Sequence, residues 1–185
     1  KKTIVLPEGH DDRILAAAEE ALKQGIANLV ILGNEEEINA KGYNLEGATI
    51  INPATSDKVE EFASLLYELR KKKGMTEEEA HELVTKDNIY FATMMVKTGQ
   101  CDGLVGGASC ATVKILSPAL KVLKTAPGAP MVSSLFLMEV PNCDLGESGV
   151  FAFADCALEI QPTAEKLAHI ANLTNQSFKR LLGKE

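Results

Sequence analysis

No apolar run in this sequence approaches the ~20 consecutive residues of a membrane-spanning helix, and the opening segment KKTIVLPEGH meets Pro7 and charge too early for a secretory signal. The expectation is a soluble, cytoplasmic protein. The sequence also lacks the glycine signatures of the common nucleotide folds. No G-x-G-x-x-G follows a strand-like run, and no glycine-rich loop ends in Gly-Lys-Ser/Thr. Cys101, Cys110, Cys143 and Cys156 show no C-x-x-C spacing and no neighbouring histidine pair, which argues against zinc or a redox dithiol and for reduced thiols. His10, His81 and His169 are scattered and read as surface or packing residues. Positive charge is scarce: 19 Lys and Arg against 26 Asp and Glu give a net charge of -7, which excludes nucleic acid or an anionic membrane as the main partner. A small anion held by a few local cations remains compatible with that balance.

What is present is a chain of 185 residues, 45% hydrophobic, long enough for one generous domain or for one domain and part of another. TIVL, ANLVILG, ATII and GLVGG are short apolar runs that read as strands. Between them, helices are signalled by capping and periodicity. Asp11 precedes a stripe of Ile14, Leu15, Ala18 and Leu22 that ends at Gly25, and Val59, Phe62, Ala63, Leu66 and Leu69 form another stripe before the basic run RKKKG. Thr76 and Glu79 have capping-box spacing, and NIYFATMMVKTG reads as a buried helix. Strands alternating with helices predict a doubly wound, three-layer α/β/α sheet, mostly parallel. From Pro130 the pattern changes to two strands, MVSSLFLMEV and VFAFAD, joined as a hairpin, then an amphipathic helix with Leu167, Ile170, Ala171, Phe178 and Leu181 facing inward. The expected organisation is a first α/β domain over 1–129 and an incomplete second α/β domain over 130–185.

Ligands of open α/β sheets bind beyond the carboxyl ends of the strands, where helix N-termini and backbone N–H groups are exposed. Three loops sit at such tips: PEGHDDR, GGASCATVK and DCALEIQPT. Arg13 offers a planar fork for a phosphate or carboxylate, or else an ion pair with Glu8 or Glu20. Gly106 and Gly107 permit close backbone approach, with Ser109 and Thr112 as hydroxyl donors, or they simply make a turn. GASCA falls short of a nucleophile elbow because Ala111 stands where the last glycine belongs. Asp155 is either a base or a cap, and the basic run containing Lys72 is either a solvated helix end or a polyphosphate contact.

The segments IVLPEGHDDRILAAA, KKGMTEEEA, YFATMMVKTGQCDGLVGGA, SPALKVLKTAPG, FLMEVPNCDLGESGVFAFADCA and PTAEKLAHIA resemble, in the same order, the phosphotransacetylase (phosphate acetyltransferase) family. The resemblance implies reversible acetyl transfer between acetyl phosphate and coenzyme A, the latter as substrate, in a cleft between two α/β domains of a homodimer, with no tightly bound cofactor and no metal. It implies that Arg13 belongs to the substrate cleft, that Cys143 lies near the site without being needed by the chemistry, and that a basic residue such as Lys72 stands where relatives use arginine. Ser117 departs from the pattern, since the family commonly carries an arginine there that helps hold phosphate. The family's Ser-Arg pair and aspartate, assigned to transition-state stabilisation and thiol deprotonation, belong to a later segment. The expectation is therefore a catalytically incomplete piece of such an enzyme. Two other readings stay open: a non-catalytic acyl-CoA-binding or assembly module, and an enzyme of phosphate butyryltransferase type.

Overall fold

The computed structural model describes residues 1–184. The chain divides into two compact units, Lys1–Lys124 and Thr125–Glu185.

The first unit is built on four parallel strands in the order β3-β2-β1-β4, namely β1 (Thr3–Leu6), β2 (Asn28–Leu32), β3 (Thr49–Ile51) and β4 (Gly103–Leu104). Side chains alternate across a strand, and this sorts the strands into two cores. Leu6, Leu29 and Ile31 face one side, where they bury Leu15 and Ala18 of α1 (Asp12–Gln24) and Ile38 of α2 (Glu35–Ala40). Val5, Val30 and Leu32 face the other, against α3 (Val59–Arg70), α4 (Glu77–Lys86) and α5 (Asn88–Lys97). Helices on both faces of a parallel sheet give the doubly wound α/β architecture. The second core is the larger. Phe62 and Phe91 meet edge-on at 5.0 Å, both almost completely buried, and each such ring contributes roughly 1.5–3 kcal/mol on leaving water.

The helix signals in the sequence have direct structural counterparts. Asp11 accepts from the Arg13 N–H at the start of α1, and Gly25 closes that helix in the left-handed conformation at φ 65°. Thr76 and Glu79 form the reciprocal capping box of α4. Asp87 caps α5, and Asn88 Nδ2 donates to the Pro7 carbonyl at 3.0 Å, tying the start of α5 to the tail of β1. The predicted strand GLVGG is shorter than its apolar pattern suggests. Only Gly103 and Leu104 pair with β1, because the chain beyond Val105 turns away to reach Glu8.

The second unit contains β5 (Leu135–Glu139) and β6 (Val150–Ala154), paired antiparallel as a hairpin, followed by α7 (Ala164–Leu181). The inward stripe expected on α7 is only partly realised. Ile170 is buried, whereas Leu167 and Leu181 are 52% and 61% exposed, since within this unit two strands offer too little surface to cover the stripe. The first unit ends with α6 (Thr112–Pro118), continued by a wide helical turn over Ala119–Leu123. No helix among the described residues is long and apolar enough to cross a membrane.

Candidate active site

The carboxyl tips of β1 and β4 are adjacent, so the loops that follow them meet. After β1 the chain runs Pro7-Glu8-Gly9-His10 into α1, and after β4 it runs Gly106-Gly107-Ala108-Ser109 toward α6. Gly106 is tightly enclosed: a Cβ there would stand 3.0 Å from Pro7 Cγ and 3.1 Å from Ile115 Cδ1, so these side chains would have to give way to any larger residue. Gly107 must be glycine for backbone reasons, at φ +106°.

These glycines let the second loop wrap around a side chain of the first. The Glu8 carboxylate is buried, 3% exposed, and accepts from the backbone N–H groups of Gly107 (2.6 Å), Ala108 (3.0 Å) and Ser109 (2.7 Å) and from the Ser109 hydroxyl (2.7 Å). Burial opposes its ionisation, but the Ser109 hydroxyl and the three N–H groups together outweigh burial and hold its pKa at about 2. The turn therefore resembles an anion-binding nest whose occupant is already part of the chain. Because Ser109 gives its one hydroxyl proton to Glu8, the neighbouring His10 Nε2, 3.1 Å from Ser109 Oγ, must be the donor in that contact.

Arg13 joins the same cluster. Its Nε and Nη2 donate to the two oxygens of Asp11 at 3.0 and 2.7 Å, and Nη2 also donates to the Ala108 carbonyl. The ion pair anticipated with Glu8 or Glu20 is thus made with Asp11 instead, whose position as helix cap puts it within reach of the same turn. Asp11 is held well below the usual carboxylate range by its hydrogen bonds to the Arg13 side chain, and Arg13 is correspondingly raised. One face of the fork is consequently filled, and Nη1 is the part of the guanidinium that makes no hydrogen bond among the described residues. The side chain is 69% exposed. Cys110 lies beside Glu8, and desolvation followed by the Glu8 charge raises its pKa, so it stays a thiol rather than a thiolate.

The other residues singled out from the sequence are dispersed. Thr112 is exposed at the first position of α6, and Ser117 is half-buried on the same helix, one position before the buried Pro118. Exposed Lys114 precedes Ser117 by one turn of α6. Lys72 stands in a short 3-10 turn (Lys71–Lys73) past the C-terminus of α3, the end of that helix remote from β3's tip. The hydrogen bonds of Arg13 go to Asp11 and Ala108, with no contribution from Lys72. In the second unit, Asp155 accepts from the Ser134 hydroxyl and N–H and from the Ala157 and Leu158 N–H groups, both at 2.9 Å. Burial raises its pKa, but these bonds prevail and bring it to about 2; it caps a turn and is a poor base. Cys143 is half-buried in the hairpin loop, and its carbonyl would stand 3.1 Å from a Cβ placed at Gly149.

Reading the sequence missed Glu8 as the organiser of this region. Its only local signal is a charged residue inserted between Pro7 and Gly9 directly after a buried strand. A groove of about 760 Å³ between α3 and α4 is lined by Glu60, Glu68, Glu77, Glu78 and Glu82 against a single lysine, Lys86, a balance that disfavours anions. A smaller cavity of about 260 Å³ opens beside the β1 tip, with His10, Asn34, Lys41, Asn52 and Asn88 in its wall. No cluster suited to a metal ion is found among the described residues.

Comparison with known proteins places this arrangement. The chain is 56% identical, over its full length, to the phosphate acetyltransferase of Thermoanaerobacterium thermosaccharolyticum and spans 57% of that protein. It is 50% identical over 98% of its length to the phosphate acetyltransferase of Acetivibrio thermocellus, spanning 55% of it. The chain thus spans little more than half the length of these relatives. A phosphotransacetylase from Streptococcus pyogenes superposes with a TM-score of 0.82 at 38% identity, over 92% of this chain and 51% of that one. With the sequence model described as phosphate acetyl/butaryl transferase matching residues 1–185, the chain belongs to that family.

Proposed function

We propose that this chain is part of a phosphate acetyltransferase that moves an acetyl group reversibly between acetyl phosphate and coenzyme A. The observation that carries the reading is the 56% identity over the whole chain to a relative of that name. In the forward direction the coenzyme A thiol gives its proton to a base. The sulfur then bonds to the acetyl carbonyl carbon, the bond from that carbon to the phosphate oxygen breaks, and phosphate departs with the electron pair. Charge builds on the carbonyl oxygen and the leaving phosphate, which is where cations and N–H donors lower the barrier most.

In this reading Arg13 meets an anionic group of either substrate through Nη1, the side it does not share with Asp11. Gly106, Gly107 and Ser109 frame that arginine, their region's N–H donors being engaged by Glu8. Thr112 and Ser117 add hydroxyls along α6, and Lys114 adds charge near Ser117. Cys143 serves as a bystander thiol and Asp155 as a turn-forming carboxylate. Lys72 contributes no direct contact. The proton acceptor is proposed to lie in the part of the relatives' length that this chain does not span, and a homodimer in the cytoplasm accompanies the reading.

The experiment supplies acetyl phosphate and coenzyme A to this chain and to a polypeptide of the relatives' full length, following thioester absorbance. Thioester formation by the longer polypeptide supports the proposal. Coenzyme A binding without turnover in both would instead favour a non-catalytic binding module, a reading supported by serine rather than arginine at 117. A faster rate with butyryl phosphate would favour the butyryl-transferring branch of the family.

A further inference from the structure

We infer that Glu8 is the positioning residue of the Arg13 site: its carboxylate gathers the Gly107, Ala108 and Ser109 N–H groups so that the Ala108 carbonyl receives Arg13 Nη2. The inference rests on the assignment of Arg13 to the substrate cleft.

The geometry makes the link specific. A turn with three N–H groups pointing inward would collapse or recruit an outside anion if nothing filled it, because backbone donors buried without partners are costly. Glu8 fills it from β1, and β1 lies beside β4 in the sheet, so the two loops cannot drift apart while the carboxylate is in place. The Ser109 N–H, which shares one rigid peptide plane with the Ala108 carbonyl, is held by Glu8 and so fixes the direction of that carbonyl, while Asp11 fixes the other edge of the guanidinium. Arg13 is thereby held between two acceptors, although its own side chain is largely exposed. An exposed arginine without such supports would sample many rotamers, and a ligand binding it would have to order it. Glu8 touches no ligand in this scheme; it acts through Arg13.

The test measures the resonance of the Arg13 Nη2–H that donates to the Ala108 carbonyl, recorded at low temperature in ¹⁵N-labelled protein and assigned by its loss in Arg13→Ala, together with coenzyme A affinity by calorimetry. In the wild-type chain the resonance should be shifted and protected from exchange. In Glu8→Gln, whose amide end opposes N–H donors, protection should be lost. Glu8→Asp, which keeps the charge but shortens the reach, should retain part of it, and formate should restore it in Glu8→Ala by occupying the vacated turn. Coenzyme A affinity should fall roughly tenfold in Glu8→Gln, the scale of one charge-assisted contact, and Glu8→Gln should add nothing further in an Arg13→Ala background, because residues acting through one contact are not additive. An unmoved Arg13 resonance in folded Glu8→Gln or in Glu8→Ala without formate, or additive losses in the double variant, overturns the inference. If Glu8→Gln fails to fold, Glu8→Asp and formate-treated Glu8→Ala decide it. The resonance needs no ligand, so the Glu8 result stays readable whether or not this chain binds coenzyme A, whereas failure of the full-length polypeptide to form thioester counts against the enzymatic reading.

Discussion

The Glu8 carboxylate accepts from Ser109 twice, from its backbone N–H and from its hydroxyl, each at 2.7 Å, across 101 residues of sequence. This pair closes the gap between the tips of β1 and β4. It also converts a glycine-rich turn that looks ready for a ligand into one that is internally satisfied.

That contact makes stability depend on acid. The folded Glu8 pKa of about 2 lies below its ordinary 4.5, so the stabilisation is fully present above pH 4.5 and is lost as pH falls toward 2. The charged or titratable groups that sense the Glu8 charge are Arg13 and Cys110, neither of which titrates between pH 2 and 4.5. Glu8→Gln should therefore lose stability on the order of 3 kcal/mol at pH 7 and show a flatter decline below pH 4.5. Urea unfolding followed by circular dichroism at stepped pH measures both; equal acid slopes in the two proteins would contradict the assignment.

Space, rather than backbone conformation, decides Gly106. A Cβ would press on Pro7 and Ile115 and come within 3.4 Å of Glu8 Oε2, so Gly106→Ala should lower the thermal midpoint and loosen the Glu8 contacts. Gly74, at φ +87° with open space around it, provides the comparison: Gly74→Ala should cost only the backbone penalty, about 1 kcal/mol. A smaller loss at Gly106 than at Gly74 would argue against the tight approach of the two loops.

Phe62 sits at the centre of the larger core, fully buried and edge-on to Phe91. Phe62→Ala should destabilise by about 3–5 kcal/mol, seen as a lower urea midpoint with little change in slope. Phe62→Leu should recover much of that loss, since it leaves a smaller cavity.

In the second unit, Asp155→Asn replaces an acceptor of Ser134, Ala157 and Leu158 hydrogen bonds with a weaker, half-donating group. Loss of about 1–3 kcal/mol should appear as faster amide exchange at Ser134, Ala157 and Leu158. Exchange at Leu32 or Met94 in the first unit should stay unchanged. Unchanged protection at those amides would contradict the capping role.

The helix boundaries were largely legible from local chemistry. Asp11 with Gly25, and Thr76 with Glu79, signal helix ends because capping involves groups only a few residues apart. The same locality explains what could not be read. GLVGG carries a strand pattern, but its pairing stops at Leu104 because Glu8, distant in sequence, draws the following residues away. Arg13 was recognisable as a candidate cation, yet its choice of Asp11 over Glu8 or Glu20 depends on where Ala108 lies. The stripe on α7 predicted burial, while exposure at Leu167 and Leu181 reflects how little sheet the second unit offers.

By itself the sequence determined the alternation of strands and helices, the doubly wound class and the family, because apolar periodicity and capping are properties of neighbouring residues and ordered motifs are properties of the chain. Only the tertiary structure decided that Glu8, and no outside anion, fills the glycine turn, and that Arg13 is braced with one group left open. Those outcomes depend on two loops meeting at adjacent strand tips. Hydrogen bonds operate over about 3 Å, so their partners are fixed by where the sheet brings the backbone, whatever the distance along the chain.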